Sequence, residues 1–186
     1  MRALQQKRAS VPAMEAEPRQ DDDVAPDLDA LFRRYSPYVA FIAHRLTGSP
    51  PDVDDIVQDV FLDAERGVSK LRDINSIKPW LATITVRRVR KHLKRRRFRQ
   101  FIGLDHAPSY REVADAAASP EHQAMLSSIY RMLDTFSADE RIAWTLKFVH
   151  GENVNQVAKL CGCSRATAHR RIAMVQAVIR GAIDER

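Results

Sequence analysis

From Leu28 onward, apolar residues recur at Leu31, Phe32, Tyr35, Val39, Ile42 and Leu46, in the steps of three and four that line one face of a helix. Pro37 falls inside this run and predicts a kink or a break. The stretch "TGSPP", with Gly48 and the Pro50-Pro51 pair, predicts the stop. Asp52 is placed to cap a second helix whose buried face carries Val53, Ile56, Val57, Val60, Phe61 and Ala64. Its other side is acidic, with Asp54, Asp55, Gln58, Asp59 and Asp63. Past the loop "GVSKLRDINSIKP", a third helix is expected from about Trp80 to Phe98. Ala82, Val86, Val89 and Leu93 face inward, and Arg87, Arg90, Lys91, Lys94, Arg95 and Arg97 lie opposite.

Periodicity is lost over residues 99–122, where "APSYREVADAAASPEHQ" is rich in Ala, Ser and Pro and reads as a linker. A second block begins near Glu121, with Met125, Leu126, Ile129, Met132, Leu133 and Phe136 at helical spacing. "SADE" from Ser137 to Glu140 is a capping box that opens a helix ending at Gly151. Asn153 and Gln156 repeat that logic for the short helix "VNQVAKLC", which Gly162 ends. Ser164 caps a final helix to about Gly181. No strand pattern is visible. The expected fold is all-α: two small helical domains joined by a flexible linker, with boundaries at 27–100, 101–121 and 122–186 and a disordered tail at 1–26.

Charge changes this picture more than composition does. The chain carries +6 overall, but residues 67–100 alone carry +11 while the flanking 31–66 and 101–136 are −2 and −3. Nine of the thirteen residues from Arg87 to Arg99 are Lys or Arg, more than local acids can neutralise, so a polyanion is the expected partner. Phosphates fit best, because each contact releases condensed counterions. The longest uninterrupted apolar stretch, "YVAFIA", is far short of the ~20 residues that span a bilayer, and the N-terminus lacks the apolar core of a secretory signal. The expectation is a cytoplasmic protein with no membrane insertion.

"CGCSRATAHRRI", residues 161–172, admits two meanings. Cys161 and Cys163, with His169 or His150, are conceivable metal ligands, but they lack CxxC spacing and a second ligand pair. They are also too close to suggest a disulfide. Alternatively, a short helix, a Gly162 turn and a Ser164-capped helix make a helix-turn-helix. Val157, Ala158, Cys161, Cys163, Ala168 and Ile172 then pack the two helices together. Ser164, Arg165, Thr167, His169, Arg170 and Arg171 occupy the start of the helix that meets base edges and phosphates. The second meaning accounts for more residues, and no metal is expected.

The two blocks together resemble a known family. "LFRRYSPYVAFIAHRLTGSPPDVDDIVQDVFLDAERG" with "WLATITVRRVRKHLKRRR" is similar to region 2 of bacterial RNA polymerase sigma factors of the extracytoplasmic-function (ECF) group. "FSADERIAWTLKFVHGENVNQVAKLCGCSRATAHRRI" resembles their region 4. The resemblance implies that Asp54, Asp55, Gln58 and Asp59 dock on core RNA polymerase. It implies that the loop from Lys70 to Lys78, with Arg72, Asp73, Asn75 and Ser76, reads a flipped-out base of the minus-ten element. Trp80 matches a Trp-Leu pair of the family and is expected mainly in the core, with DNA stacking secondary. Arg87, Arg88, Lys91, Arg95 and Arg96 would hold phosphates beside the melted strand, and the residues from Ser164 to Arg171 named above would contact the minus-thirty-five duplex. Arg165 stands where the family commonly has glycine, which implies a different promoter sequence.

The partners so implied are core RNA polymerase, promoter DNA and an anti-sigma factor. No cofactor or small-molecule substrate is implied, and no nucleophile-base pairing or phosphate-cradling glycine loop suggests an enzyme. A sigma-like decoy would not need the +11 segment. An ordinary helix-turn-helix regulator leaves the acidic helix unexplained.

Overall fold

In the computed structural model, residues 28–71, Asp73, 76–104, Tyr110 and 119–184 are described, and they contain seven α-helices and no strand. The first block comprises α1 (Leu28–Thr47), α2 (Val53–Glu65) and α3 (Ile77–Phe101). The second comprises α4 (Pro120–Leu133), α5 (Ala138–Phe148), α6 (Val154–Cys161) and α7 (Arg165–Asp184). The expected tail lies outside the described residues, as does most of the expected linker.

Helix α1 continues through Pro37. The missing backbone donor costs about 3 kcal/mol, offset by burial of Leu31, Tyr35, Val39, Ile42, Ala43 and Leu46, each large side chain worth about 1.5–3 kcal/mol. The helix stops as expected: Gly48 adopts φ 65° and donates to the His44 carbonyl at 2.8 Å. Helix α2 buries the expected face, but Asp52 does not cap it with its side chain. That carboxylate turns instead to Arg96 (3.2 Å) and His92 (3.3 Å) on α3. A charge-assisted bond to a cation outweighs a single backbone N–H.

Helix α3 starts three residues earlier than Trp80, because Pro79 sits in the first turn, where no intrahelical donor is needed. It also outlasts Phe98. The first breaker is Gly103 at φ 75°, after which Leu104 N–H bonds the Arg99 carbonyl at 2.9 Å.

In the second block, Ser119 caps α4. Both halves of the Ser137–Glu140 capping box form. Asn153 Oδ1 accepts from Gln156 N–H at 2.9 Å, Gly162 adopts the left-handed φ of 62°, and Ser164 Oγ accepts from Thr167 N–H at 3.1 Å. Val157, Ala158, Cys161, Ala168 and Ile172 are buried between α6 and α7, as the helix-turn-helix requires.

The two blocks do not stand apart. One apolar core runs from Leu31, Val39, Val86 and Val89 into Ile142, Leu146, Val157 and Ile172. A second cluster, around Tyr130, Leu133, Trp144, Val175 and Ile179, lies under α4 and also buries Tyr110. Within the expected linker, then, Tyr110 is a packed residue.

Candidate nucleic-acid interface

On α2, Asp54, Asp55, Gln58 and Asp59 are all exposed, because Val53, Ile56, Val57 and Val60 take the inward positions. Beside them Phe32, Val57, Phe61 and Leu62 line a shallow apolar groove rimmed by Asp54 and Gln58. An apolar strip edged with carboxylates suits a partner helix with basic flanks. Arg88 crosses from α3 to bind Asp63 through both Nε and Nη2, with Nη1 3.2 Å from Asp59. Hydrogen bonding from Arg88 holds the Asp63 carboxyl below the ordinary carboxylate range.

Five cations of α3 were expected at phosphates, and the fold separates them. Arg87, Lys91 and Arg95, four residues apart, form an exposed row opposite Val86, Val89 and Leu93. Arg88 is half-buried on the acidic helix. Arg96 is buried at 8% exposure, held by Asp52, by Asp134 (3.0 Å) and by the Tyr110 hydroxyl (3.0 Å). In this arrangement it has no face free for phosphate.

Of the expected base-reading loop, Arg72 and Asn75 lie outside the described residues. Asp73 is exposed and accepts from Ser76 Oγ at 3.2 Å. Trp80 packs partly buried against the core, with its ring 3.0 Å from where a Cβ on Gly67 would stand.

At Ser164, just before α7, and at Arg165, His169 and Arg170 on it the side chains are exposed, while Thr167 and Arg171 are half-buried. Arg165 and His169 are one turn apart, so both project from the same side. Both cysteines are free. Cys161 is buried in the core, which pushes its thiol up to about 11, and its carbonyl accepts from Arg90 at 2.8 Å. Among the described residues no three His, Cys, Asp or Glu side chains gather as a metal site would require.

The sequence did not single out Asp134, Asp139, Tyr110, Tyr130 or Arg141, which join the blocks. Arg141 is 2% exposed; it pairs with Asp134 and donates to the carbonyls of Leu46 (3.2 Å) and Thr47 on α1. Tyr130 donates to the Arg45 carbonyl, and burial pushes its hydroxyl up to about 12. Only the capping box flagged this neighbourhood, through Ser137 and Glu140.

An exposed acidic face on α2, a basic helix beside it and a helix-turn-helix thus stand together in one packed chain. Residues 31–99 match the family model of sigma-70 region 2. The chain is 31% identical over 152 residues to a probable RNA polymerase sigma factor RfaY of Xanthomonas campestris pv. campestris, covering 80% of this chain and 38% of that relative. It is 23% identical over 151 residues to the ECF RNA polymerase sigma-E factor of Escherichia coli K12, covering 76% of this chain and 78% of that one. The fold is similar to that of the sigma factor RpoE of Bartonella quintana, solved with the anti-sigma factor NepR: TM-score 0.63, 22% identity, 85% of this chain and 97% of that one. Residues 31–99 thus carry a sigma-70 region 2 domain, and the relatives that the chain resembles over most of its length are named RNA polymerase sigma factors. The chain spans well under half the length of the Xanthomonas relative. Among the described residues no helix is long and apolar enough to cross a membrane.

Proposed function

We propose that the chain is an alternative sigma factor: it binds core RNA polymerase, directs it to particular promoters and helps melt the minus-ten element. One observation carries the proposal. The block matching sigma-70 region 2 presents an exposed acidic face on α2 and an exposed basic row on α3, and the other block is a helix-turn-helix. Residues 27–100 would be the polymerase and minus-ten domain, 101–121 the connection, and 122–186 the minus-thirty-five domain. Asp54, Asp55, Gln58 and Asp59 would dock on the polymerase. Arg87, Lys91 and Arg95 would hold phosphates beside the melted strand, joined by Arg88 and Arg96 once released from their acids. Arg72, Asp73, Asn75 and Ser76 would read the minus-ten base, with Trp80 supporting the loop, and Ser164, Arg165, Thr167, His169, Arg170 and Arg171 the upstream duplex. The protein would be cytoplasmic, without catalysis of its own. As with the Bartonella relative solved with NepR, an anti-sigma factor would be its regulator.

The test is whether the purified chain co-elutes with core RNA polymerase and lets it initiate from a pool of genomic promoter fragments. Asp55→Arg with Asp59→Arg is expected to abolish co-elution while sparing duplex binding. Arg165→Ala with Arg170→Ala is expected to cost about 1–3 kcal/mol per lost base contact and to spare co-elution. Duplex binding without any binding to the polymerase would refute the proposal.

A further inference from the structure

Helix α3 contains no Asp or Glu, and its outward face changes character toward the C-terminal end. Arg87, Lys91 and Arg95 follow one another at steps of four, and Phe98 and Ile102 continue the same row at steps of three and four. Phe98 is 63% exposed and Phe101 87%, and Ile102 and Leu104 beside them are exposed as well. On the opposite side Arg96 ties the helix to Asp52 and Asp134, so this apolar tip projects from a fixed element. Four large apolar side chains brought together in this way mark a contact surface, unlike apolar residues scattered singly.

Shape and chemistry decide what the surface fits. A base stacks on aromatic rings, but Ile102 and Leu104 offer no π face and would gain nothing from one. A protein partner would need an apolar pocket shaped to take the knob and acids placed for its cations. The outer layer of an anionic bilayer supplies both without matched shape: hydrocarbon for the apolar side chains and lipid phosphates for the cations. Along the helix axis Arg95 stands about 4.5 Å behind Phe98 and Lys91 about 10 Å, at about 1.5 Å per residue. The headgroup layer is about 5–7 Å deep. With the tip at the hydrocarbon edge, Arg95 therefore lies among the phosphates and Lys91 just beyond them, within a screening length of about 8 Å. No acid on the helix opposes the approach.

We propose that the C-terminal end of α3 is a reversible membrane-surface contact, in which Phe98, Phe101, Ile102 and Leu104 enter the headgroup boundary of an anionic bilayer and the basic row binds its phosphates. The contact is peripheral: the tip reaches the interface and spans nothing. It stands independently of the sigma-factor reading above. Where that reading holds, Arg87, Lys91 and Arg95 serve lipid or promoter phosphates but not both at once, so the bilayer holds the chain away from DNA.

The experiment uses the full chain and co-sedimentation with vesicles of three parts phosphatidylcholine to one part phosphatidylglycerol, and with vesicles of phosphatidylcholine alone. The unsubstituted chain is expected to bind the anionic vesicles at least about tenfold more tightly than the neutral ones. Phe98→Ser with Phe101→Ser is expected to weaken that binding about tenfold while leaving affinity for a fluorescein-labelled DNA duplex within about twofold. Lys91→Gln with Arg95→Gln is expected to weaken both. Circular dichroism checks that helix content is kept, and Phe101→Ser alone, at the more exposed ring, carries the test if the double variant loses it. Binding no tighter to anionic than to neutral vesicles overturns the inference, and so does anionic binding that the serine variants retain, which is charge attraction alone. Serine variants that keep the vesicles but lose a single-stranded oligonucleotide assign the tip to nucleic-acid bases and overturn it too. Co-elution with core polymerase is measured in parallel. Vesicle binding that depends on the rings, in a chain that does not bind the polymerase, upholds the membrane contact and removes the sigma-factor reading; the reverse pattern does the opposite.

Discussion

Arg141 shows how much one side chain can join. Its guanidinium is almost completely buried, yet it meets Asp134, the Tyr110 hydroxyl and the carbonyls of Leu46 and Thr47, and lies within 5.8 Å of the ring centroids of Tyr110 and Tyr130. A buried charge is tolerated only when its donors are met. Asp134→Ala removes the carboxylate and leaves the cation in place, so the expected loss is about 3–5 kcal/mol, read as a lower urea midpoint. Asp134→Asn, which keeps an acceptor, is expected to lose less. An unchanged midpoint for the alanine variant would mean that Arg141 finds water instead. Asp52 belongs to the same class. Burial pushes its carboxyl up, but the hydrogen bond from His92 and the charges of His92 and Arg96 outweigh this and hold it below the ordinary range. From sequence, both residues look like members of a helix's first turn. The α1 carbonyls that Arg141 meets are 94 and 95 residues away, and Arg96 is 44 away from Asp52, beyond any local pattern.

Among the elements, the turns carried the clearest sequence signals and the helix ends the weakest. Gly48 and Gly162 both end helices in the left-handed region, and both were legible as stops. They differ in their surroundings. A Cβ on Gly162 would meet nothing within 4 Å, so Gly162→Ala is expected to cost about 1–2 kcal/mol in backbone strain alone. A Cβ on Gly48 would stand 2.3 Å from Tyr130 Cδ1, where α4 crosses the end of α1. Gly48→Ala is therefore expected to lower the melting temperature clearly more than Gly162→Ala, because the strain is joined by displacement of a buried ring. Equal shifts would show that Tyr130 yields freely. Helix α3 was misjudged by three residues at each end, since Pro79 read as a boundary and residues beyond Phe98 no longer kept the apolar spacing.

For the whole molecule, the contact between blocks predicts a dependence on pH. His150 follows α5, its ring edge-on to Phe41 of α1 at 5.6 Å and its Nε2 without a hydrogen-bond partner. Burial first, and then the charge of Arg45, lower its pKa from 6.5 to about 4. The unfolded chain therefore takes up a proton near pH 6.5 that the folded chain resists. Stability from this group is complete above pH 6.5 and is lost progressively as pH falls toward 4. Thermal melts from pH 7 to 5 are expected to show a decline that His150→Gln flattens, in a window above the range of ordinary carboxylates. Parallel slopes for the two proteins would remove His150 as the cause.

Helical class, the turns, the capping box at Ser137 and the division into an acidic helix, a basic helix and a helix-turn-helix followed from the sequence, because each depends on residues within a few positions of one another. Apolar spacing alone put Asp54, Asp55, Gln58 and Asp59 outward on α2, and Arg87, Lys91 and Arg95 outward on α3. Which cations of α3 stay free could not be read that way. Arg88 goes to Asp63 on a neighbouring helix, Arg90 to Asp139 and Arg96 to Asp134, pairings set by how the helices cross and how the blocks close. Charge along a helix face is a local property, whereas pairing belongs to the packed chain.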